Sequence, residues 1–321
     1  MTQAKGSSQQ TIIQEETTYK TDPAAPDAQL LYVSSNTLKL NRGRETSEIL
    51  QSGRNPTKSA RGDDDISGAI GTELQAYMGL IFKAILGSVA TTGVGPYVHT
   101  FKVGSSLPSY LIERGFTGIN QFFKYNGCKA SRFSMDVTRK GFQKMSIDFL
   151  GAKETVGSAS FDATPTDLGK VSFDGLTVTT IEEGGATIAD VVSIDGLTFD
   201  NDLDGDQFVI GGNGVREDIP EGMVKVSGTL KARFKDLALY TKATNDTESS
   251  LKIIWSLGDT LGSAGNESIE FKLAELVYGV SSPVVSGPKG VDVELPFEAF
   301  YDNSSEASAL QIILKNAQAT I

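Results

Sequence analysis

Cysteine and histidine are almost missing from this chain of 321 residues, which holds only Cys128 and His99. A single cysteine excludes an intramolecular disulfide, and Cys128 is expected as a small buried apolar residue. A single histidine leaves no partner for a histidine-based zinc site. Nothing around Tyr97-Val98-His99-Thr100-Phe101 marks a nucleophile that His99 could serve, so it is expected packed or solvated in a strand. Net basic charge is also missing. Lys and Arg total 29 against 40 Asp and Glu, a formal charge of −11, so the chain has no overall basic footprint for gripping nucleic acid. Its most apolar run, Ala76 to Ala90, falls short of the ~20 residues that span a bilayer and is interrupted by Lys83; a buried helix is expected there and no membrane is implied. Residues 1–27 are polar, carry Pro23 and Pro26, and lack the apolar core of a signal peptide.

Chemical motifs are equally scarce. Asp200-Asn201-Asp202-Leu203-Asp204-Gly205-Asp206 begins like a calcium loop, but Gly211 stands where a bidentate Glu is required and no helical pattern precedes it. Gly211-Gly212-Asn213-Gly214 lacks the spacing of a phosphate-binding loop. Gly157-Ser158-Ala159-Ser160 lacks the second glycine of a nucleophile elbow. Arg61-Gly62-Asp63 is an adhesion tripeptide too short to carry specificity. Trp255 sits in a strand-like run and is expected to pack. No carboxylate cluster singles itself out for acid–base work. No catalytic, cofactor or metal residue is expected, and the chain is read as a non-enzyme.

What the sequence does hold is glycine, 34 residues of it, and strict alternation. In Lys129–Ala152, Phe133, Met135 and Val137 alternate with Arg132, Ser134 and Asp136. Past a turn at Arg139-Lys140-Gly141, Met145, Ile147 and Phe149 alternate with Lys144, Ser146 and Asp148. A period of two means one buried face and one wet face. Leu276–Tyr301 repeats the pattern around Pro288-Lys289-Gly290, with Val291, Val293, Leu295 and Phe297 opposed to Asp292, Glu294 and Glu298. Ile66–Ala84 and Val226–Ala243 also match, each passing from an aliphatic-Ser-Gly strand into a helix and ending in Lys-Ala, with a one-residue gap. Leu31–Ser34 and Leu38–Leu40 are set against Val191–Ile194 and Leu197–Phe199. An internal duplication follows, with units at 28–153 and 188–303, a connector at 154–187 containing a strand-like Lys170–Phe173, and a tail at 304–321 holding a docked strand or short helix at Leu310–Leu314. Residues 1–27 are expected as an extended arm ordered only against a partner. Asn41–Asp65 is expected as a long polar loop.

Several phrases, in order, resemble the major tail tube proteins of long-tailed bacteriophages: Phe101-Lys102-Val103-Gly104-Ser105-Ser106-Leu107-Pro108, Asp148-Phe149-Leu150-Gly151-Ala152, Asn201-Asp202-Leu203-Asp204, Gly211-Gly212-Asn213-Gly214 and Ile219-Pro220-Glu221-Gly222. The resemblance runs from about residue 28 to the C-terminus. It implies a mainly β fold, here two tandem tail-tube-like β-sandwich or barrel units. Each has one flanking α-helix and sends hairpins into an intersubunit β-barrel around a DNA conduit. It implies no cofactor, a place in the virion tail after synthesis in the host bacterial cytoplasm, and partners that are other copies, a tape measure protein, and the tail terminator and distal tail proteins. DNA passes without sequence-specific binding. On the wet face, Arg132, Ser134, Asp136, Lys144, Ser146, Asp148, Lys225, Lys231, Arg233, Asp292, Glu294 and Glu298 are the lumen candidates; their mixed charges leave the sign of the lumen open. The long loop would tie ring to ring through Arg42, Arg44, Glu45, Glu48, Arg54, Arg61 and Asp63, with the arm. Two units per chain favour a trimeric, pseudo-sixfold ring, with a hexamer as the alternative. Another self-assembling β protein, such as a secretion-system tube or virion surface protein, and a β-sandwich binding module remain open at this point.

Overall fold

The computed structural model describes residues 3–49 and 53–321. The fold is mainly β, with antiparallel strands throughout. In chain order the first series is β1 (Gln9–Glu15), β2 (Gln29–Leu31), β3 (Ser35–Asn36), β4 (Lys39–Glu45), β5 (Ala60–Glu73), α1 (Gly79–Leu86), β6 (Gly87–Thr92), β7 (Tyr97–Val103), β8 (Tyr110–Phe116), β9 (Gln121–Val137), β10 (Lys144–Gly151) and β11 (Lys153–Gly157). The second is β12 (Val178–Glu183), β13 (Ala186–Thr187), β14 (Val191–Asp200), β15 (Lys225–Arg233), α2 (Ala238–Thr244), β16 (Ser249–Ser256), β17 (Ser268–Tyr278), β18 (Asp292–Phe300) and β19 (Gln311–Asn316).

The pairings of the first series recur in the second. β1 pairs with β2 and β8, and β12 with β13 and β16. β3 and β4 pair with β5, and β14 with β15. β5 pairs with β10, and β15 with β18. The N-terminal half of β9 lies between β8 and β11, as that of β17 lies between β16 and β19. Register agrees residue by residue: Gly68 faces Phe149 and Gly228 faces Phe297; Leu40 faces Ile66 and Phe199 faces Val226. A Cβ at Gly68 would stand 2.5 Å from Leu38 Cα, and one at Gly228 would stand 2.6 Å from the Phe297 ring and 3.3 Å from Leu197 Cα. Both glycines therefore admit the same close approach of a bulged neighbouring strand.

This register refines the alignment read from sequence. Leu38–Leu40 lies in register with Leu197–Phe199, but Ser35 rather than Val33 is the counterpart of Ser193, since Ser35 opposes Gly71 as Ser193 opposes Lys231. The repeated pairing also reaches past 28–153 and 188–303 at both ends. β11 and β12 lie largely in the expected connector, and of the docked strand or short helix expected in the tail, β19 is the strand. Lys170–Phe173 forms no strand; Ser172 makes one isolated bridge to Gln75, and Phe173 is buried.

Two further expectations are corrected. The N-terminal segment does not wait for a partner to order. β1 lies between β2 and β8, burying Ile12 and Ile13. Just beyond it, buried Glu16 accepts hydrogen bonds from Gly127 N (2.9 Å), Asn126 Nδ2 (3.1 Å) and Ser109 Oγ (2.7 Å). Asn41–Asp65 is not loop from end to end; among its described residues only 46–49 and 53–59 lie outside β4 and β5. Its two ends pair from Asn41↔Asp65 to Glu45↔Ala60 as an exposed ribbon continuing β4 and β5. Its polar side chains hid the strands because neither face of a free ribbon is buried, so no alternation is imposed.

One sheet positions everything that follows. Its order is β4 (continued by β3), β5, β10, β9, β14, β15, β18, with the C-terminal end of β17 beside β18. The β9–β14 pairing joins the two series edge to edge. The apolar face carries Ile66, Ile70, Phe133, Met135, Met145, Ile147, Phe199, Leu230, Leu295 and Phe297, all buried. Phe133 stacks on Phe199 across the junction at 6.2 Å between centroids and meets Phe271 edge-on. α1 lies under this face with Ile81, Phe82, Ile85 and Leu86 buried. The helix stops at Gly87, whose φ of 86° is the left-handed cap favouring glycine. The apolar run read as helix through Ala90 thus turns to strand at β6. The β6–β7 hairpin, which the second series lacks, pairs with β19 and clasps the two series together.

Candidate lumen face and joint residues

The twelve candidates for a wet face come together on one side of that sheet. Across it Ser146 faces Gly71 and Ser134, Ser134 faces Thr198, Thr198 faces Ser227 and Ser227 faces Glu298. Neighbouring rows carry the charges. Arg132 lies opposite Asp148 and Asp200, Asp200 opposite Lys225, Lys231 opposite Glu294, and Arg233 opposite Asp292. Arg132 contacts Asp148 at 2.8 Å, Lys231 contacts Glu294 at 2.6 Å, and Lys225 reaches Asp202 at 3.1 Å. Asp136 accepts the Gly196 amide at 2.7 Å. Lys144 opposes Glu73, so basic groups on this face meet acidic ones directly across a ladder. Opposed charges of this kind contribute about 0.2–1 kcal/mol a pair.

The ribbon candidates are arranged differently. Arg42, Arg44 and Glu45 lie on β4, Arg61 and Asp63 on β5, and Glu48 and Arg54 on the exposed flanks of the tip; residues 50–52 lie outside the described residues. Arg42 and Arg61 converge on Asp64, an Arg61 nitrogen standing 2.9 Å from its carboxylate. The hydrogen bond from Arg42 foremost, and that from Arg61, hold the Asp64 carboxyl below the usual aspartate range. Arg44 donates to Ser59 Oγ at 2.8 Å.

Sequence reasoning missed the buried polar joints. Arg216 is 4% exposed. It donates to Ile66 O (3.0 Å), Gly151 O (2.7 Å) and Gly205 O (2.6 Å) and pairs with Asp65, plugging the end of the β5–β10 ladder. Asn201 donates to Ile85 O at the end of α1 and to Ala130 O in β9, each at 2.9 Å. Lys129, also buried, donates to Ile219 O and Glu221 Oε1, each at 2.9 Å, and Glu221 Oε1 accepts the Leu107 amide as well. Asp64 N donates to Gly214 O at 2.8 Å. The phrases that carried the resemblance are therefore fastenings. They pin the 201–222 loop across the first series, where buried polar groups require partners.

A family model described as phage tail tube protein matches residues 6–299. The chain belongs to the phage tail tube protein family. No curated protein matches the sequence. The match begins before β1, in keeping with β1 as an integral strand, and runs into β18, stopping short of β19. As a tail tube protein the chain is a structural subunit of the phage tail, from a family of tube builders rather than enzymes. It is mainly β, as its sequence led one to expect. Among the described residues no helix is long and apolar enough to cross a membrane, and no group of metal-ligating side chains gathers. The acidic run 200–206 uses its carboxylates on its own backbone: Asp200 Oδ1 accepts the Asp202 amide and Asp204 Oδ1 the Asp206 amide. His99 is fully buried and hydrogen-bonds Thr91 Oγ1 (2.8 Å), Asn316 Oδ1 (3.1 Å) and Gln318 O (2.9 Å).

Proposed function

We propose that the chain is a duplicated tail tube subunit, three copies of which close into a pseudo-sixfold ring. Rings stack around a lumen that conducts DNA during ejection. The observation that carries the reading is the continuous sheet with one wet face, to which each series gives four strands in the same order: β4, β5, β10, β9, then β14, β15, β18 and the end of β17. Its two outer edges are open, and open edges template further pairing unless a closed barrel removes them. Three copies bring roughly two dozen strands. At ~4.8 Å spacing and ~40° tilt these enclose a backbone diameter of about 50 Å, or roughly 40 Å inside side chains. A duplex with grooves about 8 Å deep passes with water around it. Six copies lining the lumen with both series would double the circumference.

The opposed charges on the wet face support passage without grip, since retention of DNA scales with the phosphates that a protein neutralises. The β4–β5 ribbon is the ring-to-ring tie: β1 is built in between β2 and β8, and the ribbon projects beyond its own sheet. The ends of the tube meet the tape measure, terminator and distal tail proteins. Negative-stain microscopy of purified protein tests the reading: rings or tubes support it, and monodisperse monomers under all assembly conditions contradict it.

A further inference from the structure

The two series meet in the chain at a seam, β9 against β14, and the second series carries an uncovered copy of the same edge. Phe149 pairs with Ala130 and Phe297 with Tyr278. One residue on, Arg132 opposes Asp148, and the Gly279 amide donates to Pro296 O at 2.7 Å at the equivalent place. Past Gly279 the chain leaves the ladder and forms no strand up to β18; counted on in the same register, Val280, Ser281 and Val284 are the counterparts of Phe133, Ser134 and Val137. Phe133 and Val137 are 1% and 3% exposed beneath β14, whereas Val280 and Val284 are 59% and 77% exposed. Nothing in the chain pairs with their outer side among the described residues.

The complementary edge is open too. Ser35–Asn41 is the counterpart of Ser193–Asp200, the strand that covers β9, yet among the described residues its one strand partner is β5; Asn36 O accepts from Arg114 Nη1 at 3.2 Å and Leu38 N donates to Asn36 Oδ1 at 3.1 Å, two bonds that a new strand would replace. Pro283 fits this register. Its counterpart is Asp136, which faces the bulge of β14 between Ile194 and Leu197 and has no ladder partner there. A proline, which lacks the amide donor, is tolerated at such a bulge.

We infer that the seam inside the chain is the pattern for the seam between chains: Gly279–Val284 of one copy pairs antiparallel with Ser35–Asn41 of the next, Ser281 opposite Lys39 and Val280 opposite Leu40. The contact is head-to-tail, so it closes into a ring when its rotation divides the circle. The inference rests on the tail-tube reading and goes further by naming the paired residues.

Cysteines at Lys39 and Ser281 test it, oxidised in assembled protein and read on a non-reducing gel beside micrographs of the same sample. Both sites are accessible in the free subunit, and cross-strand neighbours sit within disulfide reach. The native Cys128 is fully buried. The double variant gives covalent dimers and trimers; either single variant gives none, and Lys39→Cys with Lys289→Cys at the loop tip gives none. Rings in the micrographs without the 39–281 ladder overturn the inference and leave the proposed function standing. Equal ladders from 39–281 and 39–289 overturn the register. Absence of both rings and ladder overturns inference and function together. A second pair of variants, Val280→Asp and Val284→Asp, keeps the melting temperature of the free subunit, because both sites are exposed there, and abolishes rings. Rings formed at wild-type yield by both would contradict the seam.

Discussion

At the residue scale the molecule depends on a few buried polar side chains that bind loops to ladders. Arg216 is the clearest. Replacing it with Met removes the donors to three carbonyls, and with buried acceptors left unpaired at about 1–3 kcal/mol each, a loss of about 3 kcal/mol is expected from chemical denaturation of the subunit. A loss below about 0.5 kcal/mol, as at ordinary surface sites, would contradict the fastening. His99 gives a pH signature. Burial, foremost, pushes its pKa below the ordinary 6.5 despite its hydrogen bonds. The unfolded chain therefore takes up the proton first, and stability is full above pH 6.5 and falls as the pH drops below it. As the chain has one histidine, the midpoint of denaturation should fall between pH 7.5 and 5.5 in the native subunit and stay flat in His99→Gln. A parallel slope in both would refute the assignment. Neither Arg216 nor His99 was legible as a joint, because a buried polar group announces itself by its partners, and those lie far off in sequence: Asn316 for His99, Ile66 and Gly151 for Arg216.

At the scale of elements, alternation was legible wherever one face of a strand is buried and illegible wherever neither is. The β9–β10 hairpin obeys it: Met135 and Ile147 are buried, with Ser134 and Ser146 on the other face. Met135→Asp or Ile147→Asp buries an unpaired charge and should yield no soluble subunit. Ser134→Asp and Ser146→Asp should yield soluble subunit that still forms tubes, and equal loss in both pairs would sink the face assignment. The ribbon is the opposite case. Arg42, Arg44, Arg61 and Asp63 are all exposed, so the sequence shows only polarity, while Asp64 pairs with both Arg42 and Arg61. Hydrogen exchange should find the amides paired between Asn41 and Asp65 already protected in the free subunit. The flanks of the tip, 46–49 and 53–59, should become protected only after polymerisation. Fast exchange of the tip in the assembled tube would remove the ribbon's role as the tie between rings.

At the scale of the whole molecule, two hairpins and two strand–helix passages in the sequence suggested a repeat, and the strand pairings that recur run beyond the stretches the sequence suggested. The strands that local pattern missed, β1, β11 and β12, are short and lie in polar or glycine-rich stretches where that pattern is weak. Long-range pairing across the series establishes them, as with β11 on β9. Under the proposed function, the repeated order of four strands would tie fold to ring symmetry, each chain supplying two equivalent arcs of lumen. The most direct measurement of this is a cross-sectional average of the assembled tube by electron microscopy. Three chains per ring are expected, with six similar inward arcs and a lumen of roughly 40 Å by strand spacing. Six chains per ring, or three chains in which only one series faces inward, would contradict it.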